Sequence, residues 1–359
     1  MLLALLLFAA QALPPWQAGM LDIHQIHTGR GNAALFVFPD GKTMLLDAGA
    51  VPDQPGLDMA GLEMGPRRPN ATRTPAEWLA AYIRRHTEKL DYAVITHYHD
   101  DHLGALADLA KQIPIATLID RGDLPAPPPY PVVRDYLAFR RAFPNAQVFE
   151  PGRADQITSK TADFEVRNLA ANGTIWTGKG TRNVVPHSAE ATENDLSIAL
   201  RLRYGRFDYY TGGDLGGVVL DDAPAWHDME TPLAAVIGRV EVAVLNHHGW
   251  LDTTNNTFLR ALQPRVIVIP AWHASHPDHG VLRRLRSPRL GFPAPDLFIT
   301  ELLDAPRAVF AYLSQSFKST QGHIVIRVAP GGRTYLVYIL NSKKEELVIK
   351  AVHGPYESR

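Results

Sequence analysis

The run His97-Tyr98-His99-Asp100-Asp101-His102 gathers the residue types that hold metal ions. On an extended segment, residues two apart point to the same side, so His97 and His99 can grip one cation. Asp101 and His102 follow where the chain turns back and can grip a second. Imidazole suits zinc, manganese or iron, and a carboxylate offsets part of the charge of two dications. A loop of merely hydrogen-bonded histidines is the competing reading. It is the weaker one, because so many neighbouring imidazoles would be costly to leave unpaired. Two further clusters sit just past apolar strands. Gly212-Gly213-Asp214 offers a carboxylate whose two oxygens can bridge two metals. Asn246-His247-His248-Gly249 offers a histidine pair. Taken alone, Asp214 reads more readily as a turn residue, and the histidine pair reads equally either way. Taken with the first run, the three clusters predict a dinuclear site. In it, His97 and His99 hold one ion and Asp101 and His102 the other. Asp214 bridges, and His248, with His247 as companion or alternative, completes the shell. Asp101 and Asp214 are the catalytic candidates.

Such residues need rigid elements behind them. Short apolar runs at 23–27, 33–39 and 43–46 read as strands, the last two joined by the Asp40-Gly41 turn signal. Thr74-Pro75-Ala76-Glu77 is a capping box with proline at the first helical position, and it predicts an amphipathic helix over 75–88. The segment 92–96 is a buried strand running into the histidine run, with a helix predicted over 103–110. A helix is expected at 133–143. Strands follow at 146–149, 164–169, 197–204, 208–211, 240–245 and 266–270, and a hairpin at 323–340 turns around Pro330-Gly331-Gly332. Strands alternate with helices, and the reactive residues follow strands, where α/β folds place their sites.

Composition sets the outer limits. The chain has 359 residues, 46% hydrophobic and 20% charged, which excludes disorder as the main state. A formal net charge of −1 argues against a generic polyanion binder. There is no cysteine, so disulfides, cysteine-ligated zinc, iron–sulfur clusters and thiol nucleophiles are excluded. The first twelve residues, MLLALLLFAAQA, are an apolar leader with Ala10-Gln11-Ala12 as a cleavage site, although no basic residue precedes it. The run is shorter than the roughly 20 residues of a spanning helix. It predicts export to the periplasm or medium, and a product without stable membrane insertion.

The same residues carry a resemblance to the metallo-β-lactamase fold superfamily, and most of all to the metallo-hydrolase domain of the ComEC/Rec2 competence proteins. The resemblance runs from about residue 20 to 340. It passes through Gly29-Arg30-Gly31-Asn32, Leu45-Leu46-Asp47-Ala48-Gly49, the histidine run, Asn194-Asp195-Leu196-Ser197, Thr211-Gly212-Gly213-Asp214, Asn246-His247-His248-Gly249 and His276-Pro277. It implies an α/β fold, an αββα sandwich of two mixed sheets with helices outside. The implied division is a signal peptide over 1–19, one hydrolase domain over 20–340 and a tail over 341–359. Three departures stand out. Gly-Gln-Gly-Asp is here Gly29-Arg30-Gly31-Asn32, and the serine after His-His-Gly is here Trp250. The metal-binding histidine expected before the bridging aspartate is replaced by Asn194, with His187 as a misaligned substitute. No stretch matches the membrane-channel part of the competence proteins, so a channel role does not carry over.

The resemblance implies two divalent ions, zinc or manganese, and a bridging hydroxide that attacks phosphorus or a carbonyl carbon. A phosphodiesterase or nuclease is the expected function, its partner a phosphodiester in nucleic acid or in a phosphorylated cell-surface polymer. No protein partner is predicted. A hydrolase of small esters, lactones or β-lactams is the alternative. A non-catalytic binding module fits the intact ligand set poorly. Asp47 is expected to orient ligands. Asn194, Ser197, His273 and His276 are expected at the substrate or behind the ligands, with His279 nearby. Arg283, Arg284, Arg286 and Arg289 are either phosphate ligands or a solvated face.

Overall fold

The alternation of short β-branched runs with capped helices folds into two sheets. The computed structural model describes residues 11–53, 63–123, 127–186, 191–220 and 223–359. His187 and the first ten leader residues lie outside them. Strands β1 (Leu21–Gln25), β2 (Ala34–Val37), β3 (Thr43–Leu46), β4 (Leu90–Val94), β5 (Ile115–Asp120) and β6 (Ala146–Val148) belong to the first sheet. Strands β7 (Phe164–Ala171), β8 (Thr174–Trp176), β9 (Thr181–Asn183), β10 (Ala199–Tyr204), β11 (Phe207–Thr211), β12 (Val242–Val244), β13 (Val266–Ile269), β14 (Asp296–Ile299) and β15 (Phe317–Ser319) make the second. The chain then returns to the first sheet with β16 (His323–Val328), β17 (Thr334–Leu340) and β18 (Ile349–Glu357). The strand orders are β18-β17-β16-β1-β2-β3-β4-β5-β6 and β15-β14-β13-β12-β11-β10-β7-β8-β9. Both sheets are mixed: β3 to β6 pair in parallel, as do β11 to β15, and the rest pair antiparallel.

One apolar layer lies between the sheets, where Phe36, Met44, Leu200, Tyr209, Val268 and Ile326 are all buried. The helices cover the outer faces. Helices α1 (Pro75–Ile83), α2 (Asp100–Leu103), α3 (Leu106–Leu109) and α4 (Pro131–Ala142) pack on the first sheet through Leu79, Leu103, Leu106 and Tyr136. Helices α5 (Glu230–Ile237), α6 (Asn256–Leu262), α7 (His279–Leu285) and α8 (Asp304–Val309) lie with the second sheet, where Leu233, Phe258 and Leu282 are buried. This is the expected αββα sandwich.

The differences from expectation are local. The helix predicted over 75–88 keeps its capping box but ends at Ile83. Beyond it the chain tightens into turns, Arg85 N donating to Tyr82 O and His86 N to Ile83 O, to re-enter the sheet at β4. The helix predicted over 103–110 is two short pieces. Ala105 N leaves the helical ladder and donates to Ala48 O at 2.7 Å, so the loop after β3 breaks the helix. Residues 341–359 are no tail, because β18 pairs antiparallel along β17 and forms the edge of the first sheet. The end of the apolar leader also lies on this edge, Ile349 N donating to Gln11 O at 2.9 Å.

Candidate metal centre

Loops at the ends of β3, β4, β11, β12 and β13 meet at one rim of the sandwich. The histidine run leaves β4 in extended form as far as His99, which caps α2 with φ −90° and ψ 153°. His97 and His99 therefore share a side, with His97 Nε2 3.0 Å from His99 Nδ1. Asp101 and His102 lie on the first turn of α2 and face the other way. Two loops clamp this backbone: Asn32 N donates to Asp101 O at 2.7 Å, and Ala48 N to His102 O at 2.6 Å. The approach is so close that a Cβ on Gly31 would stand 2.2 Å from Asp101 O, and Gly31 has φ +127°. Only glycine fits there.

The candidate ligand atoms form two groups, buried except for the half-buried His99, that share one residue. Asp101, His102, Asp214 and His248 make one, and His97, His99 and Asp214 the other, with the atoms of each group within 4.8 Å of one another. His102 Nε2 lies 3.2 Å from Asp214 Oδ1 and 3.4 Å from Asp101 Oδ2. His248 Nε2 lies 2.9 Å from Asp101 Oδ2, and His97 Nε2 lies 3.7 Å from Asp214 Oδ2. His247 stands outside both groups, its Nε2 3.9 Å from Asp214 Oδ2.

Hydrogen bonds on the far side of each ring decide what the near side offers. His102 Nδ1 faces the Asp47 carboxylate at 2.8 Å, His248 Nδ1 faces Pro270 O at 3.0 Å, and His247 Nδ1 faces Asp252 Oδ1 at 2.9 Å. A carboxylate or carbonyl oxygen only accepts, so each Nδ1 carries a hydrogen and each ring turns its Nε2 inward, where a lone pair is free once a second proton is given up. His102 Nε2 and His248 Nε2 meet at 3.3 Å. Two ring nitrogens at that distance share either a proton or a metal cation. Three carboxylates, Asp47, Asp101 and Asp214, crowd the same few ångströms, and among the described residues none of them pairs with an arginine or lysine. Burial opposes charge on His102, yet Asp214, Asp101 and Asp47 together hold its pKa well above the usual histidine value. Burial likewise pushes Asp214 and Asp101 upward, but the facing histidines hold both well below the usual carboxylate range. A site that attracts protons this strongly, with nitrogen and oxygen donors only, fits two divalent cations.

Supporting residues fix these positions. Asp47 accepts from Asn32 Nδ2 (2.9 Å), Thr96 N (2.8 Å) and Thr96 Oγ1 (3.0 Å) besides holding His102. Ser197 Oγ accepts the Asp214 amide at 3.1 Å. Asn194 turns its Nδ2 toward His247 Nε2 at 3.4 Å and leaves Oδ1 buried without a partner. His247 and His248 have φ +47° and +54°, a left-handed backbone that residues other than glycine rarely adopt. The fold holds them there through Glu230, whose carboxylate accepts from Asn246 Nδ2, Thr254 N and Asn255 N at 2.7–2.9 Å. Burial pushes the Glu230 pKa up to about 8. Asp252 and Glu230 are the residues that sequence reasoning missed. Asp252, five residues past His247, was the findable one.

His276 stacks on His248 at 4.8 Å between centroids, and Trp272 and His273 pack beside it. The arginine run is largely structural. Arg284 donates to Thr253 O and Thr254 O, bracing the loop after the histidine pair, and Arg286 donates to Ser316 O. Arg283 and Arg289 are exposed.

The family model of the metallo-β-lactamase superfamily matches residues 27–174. Recombination protein 2 of Haemophilus influenzae is 23% identical over 287 residues, which are 78% of this chain and 28% of that protein. The chain thus spans little more than a quarter of the relative's length. Among solved structures, the diiron β-hydroxylase CmlA of Streptomyces venezuelae shares 14% identity over 88% of this chain and 55% of its own, with a TM-score of 0.43. The metallo hydrolase Igni18 of Ignicoccus hospitalis shares 16% over 69% and 81%, with a TM-score of 0.39. Human tRNase Z, short form, shares 13% over 68% and 91%, with a TM-score of 0.34. The match over residues 27–174, and two mixed sheets that meet at a buried His/Asp cluster, make the chain similar to the metallo-β-lactamase superfamily of metal-dependent hydrolases.

Proposed function

We propose that the chain hydrolyses phosphodiesters, in nucleic acid or in a phosphorylated cell-surface polymer. In this reading His97, His99 and Asp214 hold one divalent cation, with His247 completing its shell. Asp101, His102, Asp214 and His248 hold the other. The observation that carries it is the sharing of Asp214 between two groups of buried ligand atoms. Two divalent cations would supply a nucleophile at neutral pH and offset charge on both the entering and the leaving oxygen, which in-line displacement at phosphorus requires. Donors of nitrogen and oxygen alone support zinc, with manganese as the alternative.

The chain's own residues do the positioning. Asp47, Pro270 O and Asp252 fix the rings of His102, His248 and His247, so three lone pairs are aimed before substrate arrives. Ser197 steadies the backbone of Asp214. Asn194 Oδ1, buried and unpartnered, is free to accept from substrate or hold its water. The likeness to Recombination protein 2 supports the nucleic-acid branch. The apolar leader supports export. Among the described residues no helix is long and apolar enough to cross a membrane.

One metal-supplemented preparation is compared on bis-p-nitrophenyl phosphate, single-stranded DNA, a chromogenic ester and a cephalosporin. Turnover of the phosphodiesters, with the cephalosporin slow or inert, is expected. Faster hydrolysis of the ester or the cephalosporin would overturn the reading. Mass spectrometry of the mature N-terminus in the native host checks export, where an intact cytosolic Met1 form contradicts it.

A further inference from the structure

Beside His248, the loop that follows β13 carries three side chains that each hold a nitrogen without a partner. Trp272 Nε1, His273 Nε2 and His276 Nδ1 are each shielded from solvent and hydrogen-bonded to nothing. Their residues are only 3%, 2% and 6% exposed. Buried nitrogens of this kind are rare, and one alone costs on the order of 1–3 kcal/mol. Here three stand together. The His273 and His276 rings are 5.4 Å apart, and the Trp272 ring is 5.4 Å from the first and 5.6 Å from the second. The cluster is fixed on both sides. His276 stacks on His248, a residue of the metal centre, at 4.8 Å and 25°. On the other side the chain at 63–65 crosses it, Gly65 N donating to Trp272 O at 2.7 Å and Ala274 N to Glu63 O at 2.8 Å.

What these atoms offer can be read from their neighbours. The indole nitrogen is only a donor. His273 Nδ1 receives the amide of Ser275 at 3.3 Å, so its hydrogen sits on Nε2, the atom without a partner. The site thus presents the N–H groups of Trp272 and His273, with the unpartnered His276 Nδ1 beside them. Such donors suit an anionic oxygen whose charge the metals only partly offset. They have nothing to offer an apolar group.

We propose that Trp272, His273 and His276 form an anion pocket against the His248 side of the metal centre, and that it receives a non-bridging oxygen of a phosphate group. The pocket rests on the phosphodiester reading and gives it a place for the oxygen that neither cation holds. It also gives a reason for leaving three buried nitrogens unpaired in the absence of substrate.

The test uses the zinc-loaded full chain with inorganic phosphate as the probe. The chain has six tryptophans, so six indole N–H resonances, and Trp272→Phe identifies its own by deletion. In the native chain the Trp272 indole resonance is expected to move downfield as phosphate is added, and a stationary resonance overturns the pocket. Trp272→Phe keeps an aromatic ring and removes the indole donor. It should weaken phosphate binding at least about fivefold, the scale of one lost hydrogen bond. Zinc content should stay the same. Unaltered phosphate affinity in this variant, in a chain that still turns over bis-p-nitrophenyl phosphate, rejects the pocket and keeps the function. A native chain that binds zinc but neither binds phosphate nor cleaves any phosphodiester rejects both.

Discussion

The molecule buries two clusters of histidine, and they are built from nearly the same residue types. One is the metal centre. The other lies under α1, where His24, His27, His86 and His323 gather with Asp22, Glu301 and Tyr82. In this second cluster the Nδ1 atoms of three histidines bond to neighbouring polar groups, while His24 Nε2 and His86 Nε2 have no hydrogen-bond partner. His24 Nδ1 meets Tyr82 Oη at 2.9 Å, His27 Nδ1 meets Ser342 Oγ at 2.9 Å, and His323 Nδ1 accepts the His27 amide at 3.0 Å. Its carboxylates already have cations, Asp22 pairing with Arg327 at 2.6 Å and Glu301 with Arg68 at 2.6 Å. At the metal centre, Asp101 and Asp214 face only imidazoles, and the lone pairs converge. A count of histidines does not separate the two clusters. What separates them is whether each carboxylate has a resident cation of its own.

The sharpest way to break this contrast is Asp214→Ala. The shared oxygens vanish from both ligand groups, so metal content should fall from two ions toward one or none. Phosphodiester turnover should drop at least about a hundredfold, as for loss of a main electrostatic stabiliser. Elemental analysis and kcat on one preparation check it. Two retained ions with unchanged kcat would mean that Asp214 is no bridge.

Asp252→Asn is the gentler cut. It keeps the shape beside His247 but removes the carboxylate that fixes its tautomer. A loss of about tenfold to a hundredfold in the affinity of one of the two ions, or in activity, is expected. Titration against a chelator reads it. Equal affinity for both ions, as in the native chain, would show that His247 serves neither.

The His/Asp cluster of the candidate metal centre was legible because its residues are compressed into three short runs. Periodicity and turn signals were enough to place those runs after strands and to foresee the sandwich. What stayed hidden depends on distant pairing. Nothing local says that residues 349–357 lie against β17, or that Ala105 breaks its helix to reach Ala48. Arg284 looked like a phosphate ligand because a dense basic run says nothing about which carbonyls fold back onto it. The second histidine cluster draws on residues 24, 27, 86 and 323, too far apart in the chain for any motif to gather.

The smallest expected effect separates the clusters by their response to acid. His86 packs against His24 at 4.4 Å, and burial, helped by the nearby His24, lowers its pKa to about 3. In the unfolded chain the value returns to about 6.5. Between these limits the unfolded state binds a proton that the folded state does not. The contribution of a neutral His86 to stability is therefore complete above pH 6.5 and is lost as pH falls toward 3. His86→Phe removes this linkage and keeps an aromatic ring in place. Relative to the variant, the native chain should lose about 1.4 kcal/mol per pH unit within that window, with a constant difference above pH 7. Metal-free protein is the right material, since metal ligands titrate in the same range. Denaturant unfolding of both chains from pH 7.5 to 4.5 measures it. Parallel stability curves would show that His86 accepts its proton in the folded state. Metal content of the reloaded variant should equal that of the native chain, because no ligand of the metal centre touches this ring.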